Sequence, residues 1–567
     1  MNTRINVYVL LDHHEYYGTD LEPTDVIELI KDIPTDTLIN QISWMNIRLY
    51  LNENAENSGV IQAEIVGSIY RHMAPDHQQK WLEVLHEQKK KGHNPVLVWN
   101  YSNLLLYDFI FRSVNEKSKT TLNADDAKNV FDALLSVNSF ANKKIGKNVV
   151  ELQNAIGNDD EFNAHLITNF IYQKDYESST DFNNQVLRGK MFFEYLEGHP
   201  KYQTYLLGFY NEKHVSSYKG MFKTLMAIFV QIGIGTDKRH HLISLQQAAE
   251  EHQVNLQYVD TLVINAQNVN YVTDESFGML RNRFLYKIDQ YRFIVLDVNF
   301  LLDQFYKAQI FAFNSFLKRS GDKGDFLSTK AKSFLEDIYF RHLILGCFPF
   351  YRTFFGDECV NSKTEELCDA YLREGNKICI VELKDTLLNA SIKNSGDRVK
   401  LIAELNKKFV TNQNNKKKGI SQLLDAIIDI DAKSVSFDNI ERTNRIDIYP
   451  VVAYTDNAFG APGINKMFGK SFQEGLSNAA IANLTVYPLT FINLNFFELR
   501  QDYLSNKHID LFEMLEGYHK HIAHPDFHLT TFEVFGKFYM LENGVPEMDT
   551  NSSFRELVTE IIASPDQ

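Results

Sequence analysis

The run Glu366–Asp385, ELCDAYLREGNKICIVELKD, decides the reading of this chain. Two short apolar segments, Glu366–Leu372 and Ile378–Lys384, flank Arg373–Lys377 (REGNK), a turn-rich piece suited to a hairpin. Side chains alternate faces along a strand. In the second strand Ile378, Ile380, Glu382 and Lys384 therefore share one face, and Cys379, Val381 and Leu383 the other. In the first strand Leu367, Asp369 and Tyr371 share a face. Pairing across the hairpin brings Asp369 near Glu382, so two carboxylates and one amine gather at one end of a sheet. Close carboxylates repel, which raises a pKa unless a cation lies between them. Mg²⁺ takes oxygen ligands and keeps several waters. A lysine beside a metal-bound water can orient or deprotonate it, and this combination of charges suits phosphodiester hydrolysis.

The flanking sequence supplies the rest of a domain. Upstream, Ser328 or Thr329 can cap a helix over Lys330–Leu345, with Gly346 as its stop. This helix carries Glu336 and, beside it, Asp337. Asp357, after another candidate strand, is the rival of Asp369. Downstream come a helix over Asp397–Phe409, the loop Val410–Gly419 (VTNQNNKKKG) and an amphipathic helix over Ile420–Ile430. There Ile420, Leu423, Leu424 and Ile427 make the buried face and leave Gln422 on another. Strands are expected at Ile446–Thr455 and Leu484–Leu494. The order helix, hairpin, helices, strand, strand, helices predicts an α/β (α+β) mixed sheet flanked by helices.

Asp369 followed by Glu382-Leu383-Lys384 at the end of an apolar strand resembles the PD-(D/E)XK nuclease superfamily, the restriction-endonuclease-like fold. Cys368 stands where the family pattern has a proline, a residue often missing there. Glu336 matches the family's helix glutamate, and Gln422 in Gly419–Leu424 (GISQLL) its helix glutamine. Tyr449-Pro450-Val451-Val452 and Tyr487-Pro488-Leu489 resemble the remaining strands, so the likeness covers roughly residues 326–540. It implies a Mg²⁺-dependent endonuclease, with Mn²⁺ able to substitute, acting on nucleic acid, DNA ahead of RNA. By resemblance Asp369 and Glu382 hold the metal, with the backbone carbonyl of Leu383 as a further ligand. Lys384 positions or activates the attacking water, Glu336 contacts a second metal or a bridging water, and Gln422 orients the phosphate or Lys384. A bare [DE]xK triplet carries little weight. Glu87-Gln88-Lys89, Asp126-Ala127-Lys128 and Asp431-Ala432-Lys433 also fit it, but none follows an apolar strand. The rival reading of Glu382 and Lys384 is a surface ion pair worth ~0–1 kcal/mol. The rival function is a catalytically inactive nuclease-fold module that binds nucleic acid or a partner protein.

The net charge of −15, from 58 basic and 73 acidic residues, argues against a protein that coats nucleic acid along its whole surface. Against that background Lys407, Lys408, Lys416, Lys417 and Lys418, with Lys400 before them, lie between the charged hairpin and Gln422, where they can grip phosphates. Asn412, Asn414 and Asn415 in the same stretch suit a solvated loop equally well. His519, His521, His524 and His528 read as a histidine-rich helix end rather than a zinc site, since no cysteine is near. The four cysteines form no CxxC pair and are expected to be reduced and buried. Walker A, GxSxG, HExxH and GxGxxG patterns are absent, which leaves no sign of an ATPase, serine hydrolase, zincin or dinucleotide enzyme.

With 44% hydrophobic and 23% charged residues the chain is globular in composition, not disordered. The polar segment Lys318–Asp325 (KRSGDKGD) sets the expected boundary: residues 1–320 as a mainly helical sensor or oligomerisation region, and 321–567 as the nuclease-like domain. In the first half a strand is expected at Ile5–Leu11, and helices at Gln79–Lys89, Asp125–Leu135 and Val215–Ile232. A strand over Tyr291–Asp297 then leads into one aromatic helix over Asn299–Leu317. The longest apolar stretch, Leu225–Ile234, is too short for a bilayer, which takes ~20 apolar residues. No membrane partner is therefore expected, the expected location is cytoplasmic, and homo-oligomerisation is compatible with the layout. At the level of family analogy, large prokaryotic proteins of this layout resemble anti-phage defence effectors.

Overall fold

In the computed structural model, Glu374 pairs with Lys377 across Gly375-Asn376, closing the expected hairpin. Gly375 adopts φ +63, the left-handed backbone that a two-residue hairpin turn demands of its first position. The two hairpin strands are β2 (Ala370–Glu374) and β3 (Lys377–Lys384). The first begins at Ala370 rather than at Glu366, so Asp369 stands immediately before the ladder. Strand β1 (Arg352–Phe355) pairs antiparallel with β2. Strand β4 (Ile446–Tyr454) pairs parallel with β3 along the whole of its length. The outer edge is formed by β5 (Leu484–Val486) and β6 (Thr490–Asn493), both parallel to β4. The result is a mixed sheet of order β5-β4-β3-β2-β1, with β6 also on β4.

The single strand expected over Leu484–Leu494 is thus two segments. Pro488 lies in the break between them, and Pro450 of β4 falls between the residues that pair with the two segments. Proline has no N–H to give a ladder. Both prolines therefore sit where the ladder is interrupted.

Helices flank this sheet, as the α+β pattern predicted. One continuous helix, α2, is α-helical over Phe326–Thr329, π-helical over Lys330–Phe340 and α-helical again over Arg341–Cys347. Its cap is Asp325, whose side chain accepts from the Ser328 N–H, one turn earlier than expected. Helices α3 (Arg398–Phe409) and α4 (Ile420–Asp431) follow the hairpin, then α5 (Ile464–Asn478), α6 (Leu494–Ser505), α7 (Leu511–Ile522) and α8 (Phe532–Glu542). One sheet face, with Tyr371, Ile378 and Ile380, shares its core with Leu401, Leu405 and Phe409 of α3, Leu423 and Ile427 of α4, and Phe468 and Phe472 of α5. On the other face the Tyr449 ring meets Phe512 of α7 at 4.9 Å, and Tyr339 of α2 donates to Glu498 of α6.

The described residues are 9–50, 59–91, 95–117, 122–155, 157–171, 181–233, 240–252, 254–264, 277–412, 414, 416–439 and 445–545. They fall into two compact units. The sheet-bearing unit comprises Gly324–Glu556 together with Asn148–Asp175. The boundary expected after residue 320 lies near it in the sequence, but the earlier segment was not foreseen. Helix α1 (Asp159–Phe170) belongs to the sheet-bearing unit because Ile167 and the following Ile171 enter its core. Asn163 Nδ2 also donates to the Gly463 carbonyl (3.0 Å). Gly463 has φ +95, and a Cβ there would stand 2.4 Å from Asn163 Oδ1, so glycine permits the approach.

The second unit, Asn6–Lys147 with Tyr176–Lys323, is mainly helical. Its helices include Thr35–Leu49, Pro75–Lys90, Asn100–Arg112, Phe182–Gly198 and Tyr218–Ile232. Arg292–Val295 is the middle of a three-stranded antiparallel sheet with Leu242–Ser244 and Leu285–Lys287. The helix expected over Asn299–Leu317 is two, Val298–Asp303 and Lys307–Arg319. The break holds the Phe305 carbonyl against Gly189, where a Cβ would come within 2.1 Å. Of the strand expected over Ile5–Leu11, Val9–Leu10 pairs with Pro95–Val96, and Ile5 to Tyr8 lie outside the described residues, as does Asn415 of the lysine-rich loop. Among the described residues no helix is long and apolar enough to cross a membrane.

Candidate functional site

Register determines which charges meet. Ala370 is opposite Val381, so the residue before β2, Asp369, lies beside the end of β3. The Leu383 N–H donates to Asp369 Oδ2 (2.6 Å), fixing that carboxylate against the strand. A residue's N–H and C=O leave a strand on the same side, so the Leu383 carbonyl faces the Asp369 side as well. Two residues beyond the apolar Ile380, Glu382 is only 2% exposed. Lys384, on the same face, donates from Nζ to Glu382 Oε1 (2.7 Å).

The surface-ion-pair reading of Glu382 and Lys384 is set aside by this burial. Burial, then the charge of Asp369, pushes the Glu382 carboxyl up to about 8, with Lys384 working against the shift. Burial also disfavours the charged ammonium of Lys384, yet Glu382 and Asp369 hold its pKa above the usual lysine value. Gly419, at the start of α4 with φ +40, lies so close that a Cβ would meet the Phe409 carbonyl oxygen at 2.9 Å and Lys384 Cε at 3.1 Å. Only a residue without a side chain lets α4 approach this lysine.

Helix α2 brings Glu336 to the same place. Carboxylate oxygens of Glu336, Glu366 and Asp369 all lie within 4.8 Å of one another, the single such group of three or more metal-ligating side chains among the described residues. Glu336 and Asp369 are close enough for each charge to act on the other. The Glu336 carboxyl is pushed up to about 7, first by burial and then by the Asp369 charge, with Lys332 opposing both. Glu366 is likewise raised, chiefly by burial. Lys332 Nζ pairs with Glu336 and lies 3.7 Å from both Glu366 and Asp337. Asp337 itself is 52% exposed on its side chain and outside the three-carboxylate group. Asp357 is exposed in the turn after β1.

These donors fit a hard divalent ion. All are carboxylate oxygens, they converge, and burial raises their proton affinities, Asp369 adding to it at Glu336 and Glu366, so a bound cation would stabilise their charged forms. The ligand set differs from the expected one of Asp369, Glu382, Leu383 and Glu336. Glu336 and Asp369 are joined by Glu366, while Glu382 is engaged by Lys384 and is not a fourth member of the group.

Glu366 was within the decisive stretch but was read as part of a strand. Alternation then sets residues 366 and 369 on opposite faces. Because the ladder starts only at Ala370, the four residues before it are free of that alternation, and both carboxylates reach one spot. A second pair left no signal in the sequence. Lys330, 4% exposed, donates to Asp385 Oδ2 (2.6 Å), and the Thr455 hydroxyl donates to Asp385 Oδ1 (2.9 Å), which fixes the chain just past Lys384.

The remaining expected residues separate into two groups. The Gly419 N–H donates to Gln422 Oε1 (2.7 Å), so this side chain turns back to cap its own helix and leaves its NH₂ end for any other contact. Lys407 and Lys408 pair with Glu404 (3.6 and 3.3 Å), and Lys408 also donates to the Thr386 hydroxyl (3.0 Å). Lys417 pairs with Asp425 (2.6 Å), and Lys416 is exposed. Lys418 differs: its pKa is lowered by burial and then by Lys384 and Lys416, which places its ammonium in the field of the buried charges. His519 is buried on Thr490 (2.8 Å between Oγ1 and Nε2), and His521 stacks on Phe527, so these histidines serve packing. All four cysteines are free and buried.

No family model matches this chain, and no curated protein or solved structure is similar to it at a significant level.

Proposed function

We propose that the chain is a divalent-metal-dependent nuclease, acting on DNA ahead of RNA, with its centre on Glu336, Glu366, Asp369, Glu382 and Lys384. One observation carries the reading. A buried glutamate and a lysine end an apolar strand beside three converging carboxylates. Burying such charges is costly, and an apolar replacement packs as well or better. A chain that keeps them there gains chemistry rather than stability.

Mg²⁺, or Mn²⁺ in its place, supplies when bound a Lewis acid for the scissile phosphate and a more acidic water. Glu336, Glu366 and Asp369 would hold it, with the Leu383 carbonyl on the same side. The protein's own groups divide the remaining work. Lys384, held by Glu382, presents an ammonium that orients the attacking water and faces the charge developing on the phosphate. Lys418, in the field of the same charges, and the NH₂ of Gln422, whose Oε1 is taken by the Gly419 N–H, would be the donors to a neighbouring phosphate. The mainly helical unit is proposed as the sensing or assembling part, and a defence role follows only by analogy of layout.

The test is cleavage of supercoiled plasmid with Mg²⁺, comparing wild type with Glu382→Ala and Lys384→Ala. Cleavage lost in both variants supports the assignment. Equal cleavage by all three proteins defeats the assignment, and no cleavage by wild type of any DNA or RNA leaves the inactive binding module instead.

A further inference from the structure

One cation in the carboxylate cluster has no place in the chemistry above. Lys332, four residues before Glu336 on α2, is paired with Glu336 and lies 3.7 Å from Glu366 and from Asp337. Two of those three carboxylates belong to the group that converges within 4.8 Å. The ammonium therefore neutralises two of the carboxylates that a divalent ion would bind. It is not locked in: its side chain is 51% exposed and hangs on a four-carbon stem. Lys384, the other cation of the site, is only 13% exposed on its side chain and is bonded to Glu382 instead. The two lysines thus serve different carboxylates, one fixed and one movable.

We infer that Lys332 is a displaceable internal counter-ion that competes with the divalent metal for Glu336 and Glu366 and so weakens metal loading. The inference rests on the metal centre proposed above and adds a residue that sets its affinity. An ammonium carries one charge and can swing to solvent, while a divalent ion carries two and can take oxygens from all three carboxylates at once. Metal entry is then an exchange of cations rather than the filling of bare anions. Neutralising Lys332 removes the competitor and strengthens binding, which is the reverse of what loss of a structural contact does.

The experiment is calorimetric titration of the full chain with Mn²⁺ after chelation, without nucleic acid. Wild type, Lys332→Met and Lys332→Arg are compared, with thermal melts as a folding control. The methionine variant is expected to bind Mn²⁺ about ten-fold more tightly, a difference of about 1.4 kcal/mol. The arginine variant keeps the charge and stays near wild type. Metal uptake by wild type with equal or weaker binding in Lys332→Met overturns the inference and leaves the metal centre standing. No uptake by any of the three proteins overturns the metal centre, and the role of Lys332 with it.

Discussion

Two charged regions of the sheet-bearing unit invite comparison: the strand end with Asp369, Glu382 and Lys384, and the lysine-rich segment from Lys407 to Lys418. The strand end holds few charges, but Glu382 is 2% exposed and each group is fixed by a short bond. The segment holds more charge, yet Lys407, Lys408 and Lys417 are paired with local acids, Glu404 and Asp425. An exposed pair such as Lys417–Asp425 is worth little in water. The number of charges is therefore a poor guide to where chemistry occurs. What matters is whether a charge has been withdrawn from solvent and held at a defined point.

The largest expected effect tests that contrast directly. Glu382→Ala or Lys384→Ala should reduce plasmid cleavage by about a thousand-fold or more, the scale of losing a group that acts in the transition state. Lys417→Ala, with its ammonium already held by Asp425, should change the rate by no more than about three-fold. Comparable losses for Lys417 and Lys384 would break the comparison.

Stability should separate the regions within one helix. Phe409 is fully buried, with the rings of Phe459, Phe468 and Phe491 at 4.8, 5.2 and 5.2 Å. Its carbonyl also faces Gly419 above Lys384. Phe409→Ala should cost about 3–5 kcal/mol in urea denaturation, the usual cost of a large aromatic cavity. Lys407→Ala, two positions earlier, should stay within about 0.5 kcal/mol. A cheap Phe409→Ala would mean that the cover over the strand end is loose.

Much of this arrangement was legible in local pattern, and the missing parts are those that local pattern does not encode. The hairpin, the helix carrying Glu336 and the α4 helix followed from alternation, turn residues and helical spacing. Glu366 was lost through a strand start placed four residues early, which turned its side chain to the wrong face. Helix α1 was lost for a different reason. Its own sequence does not say where it packs, because docking on Gly463 depends on a glycine three hundred residues away. Gln422 was legible as a residue off the apolar face, whereas its bond to the Gly419 N–H depends on cap geometry.

Acidity sharpens the comparison further. In the chelated protein the Glu382 carboxyl is pushed up to about 8, against 4.5 for an ordinary glutamate. Between those values the folded chain holds a proton that the unfolded chain releases. Stability from this group is thus present below about pH 4.5 and is lost as pH rises towards about 8. The melting temperature in chelator should fall across that window, and Glu382→Gln should flatten the fall. A fall equally steep in Glu382→Gln would assign the pH dependence to other groups.

The smallest effect concerns the one lysine that links the two regions. Lys418 shares the segment with Lys417 but lies in the field of Lys384, Glu382 and Asp369. Each phosphate contact contributes close to one unit to the salt dependence of nucleic-acid binding. Lys418→Ala should therefore lower the slope of log K against log salt by about one, with affinity reduced several-fold and nearly independent of sequence. Lys417→Ala, whose ammonium is already neutralised by Asp425, should leave the slope unchanged. Measured by fluorescence anisotropy on a labelled duplex with Ca²⁺ in place of Mg²⁺, equal slopes for the two variants would return Lys418 to the solvated segment. A difference of about one would place the boundary between the working charges and the solvated ones between two adjacent lysines.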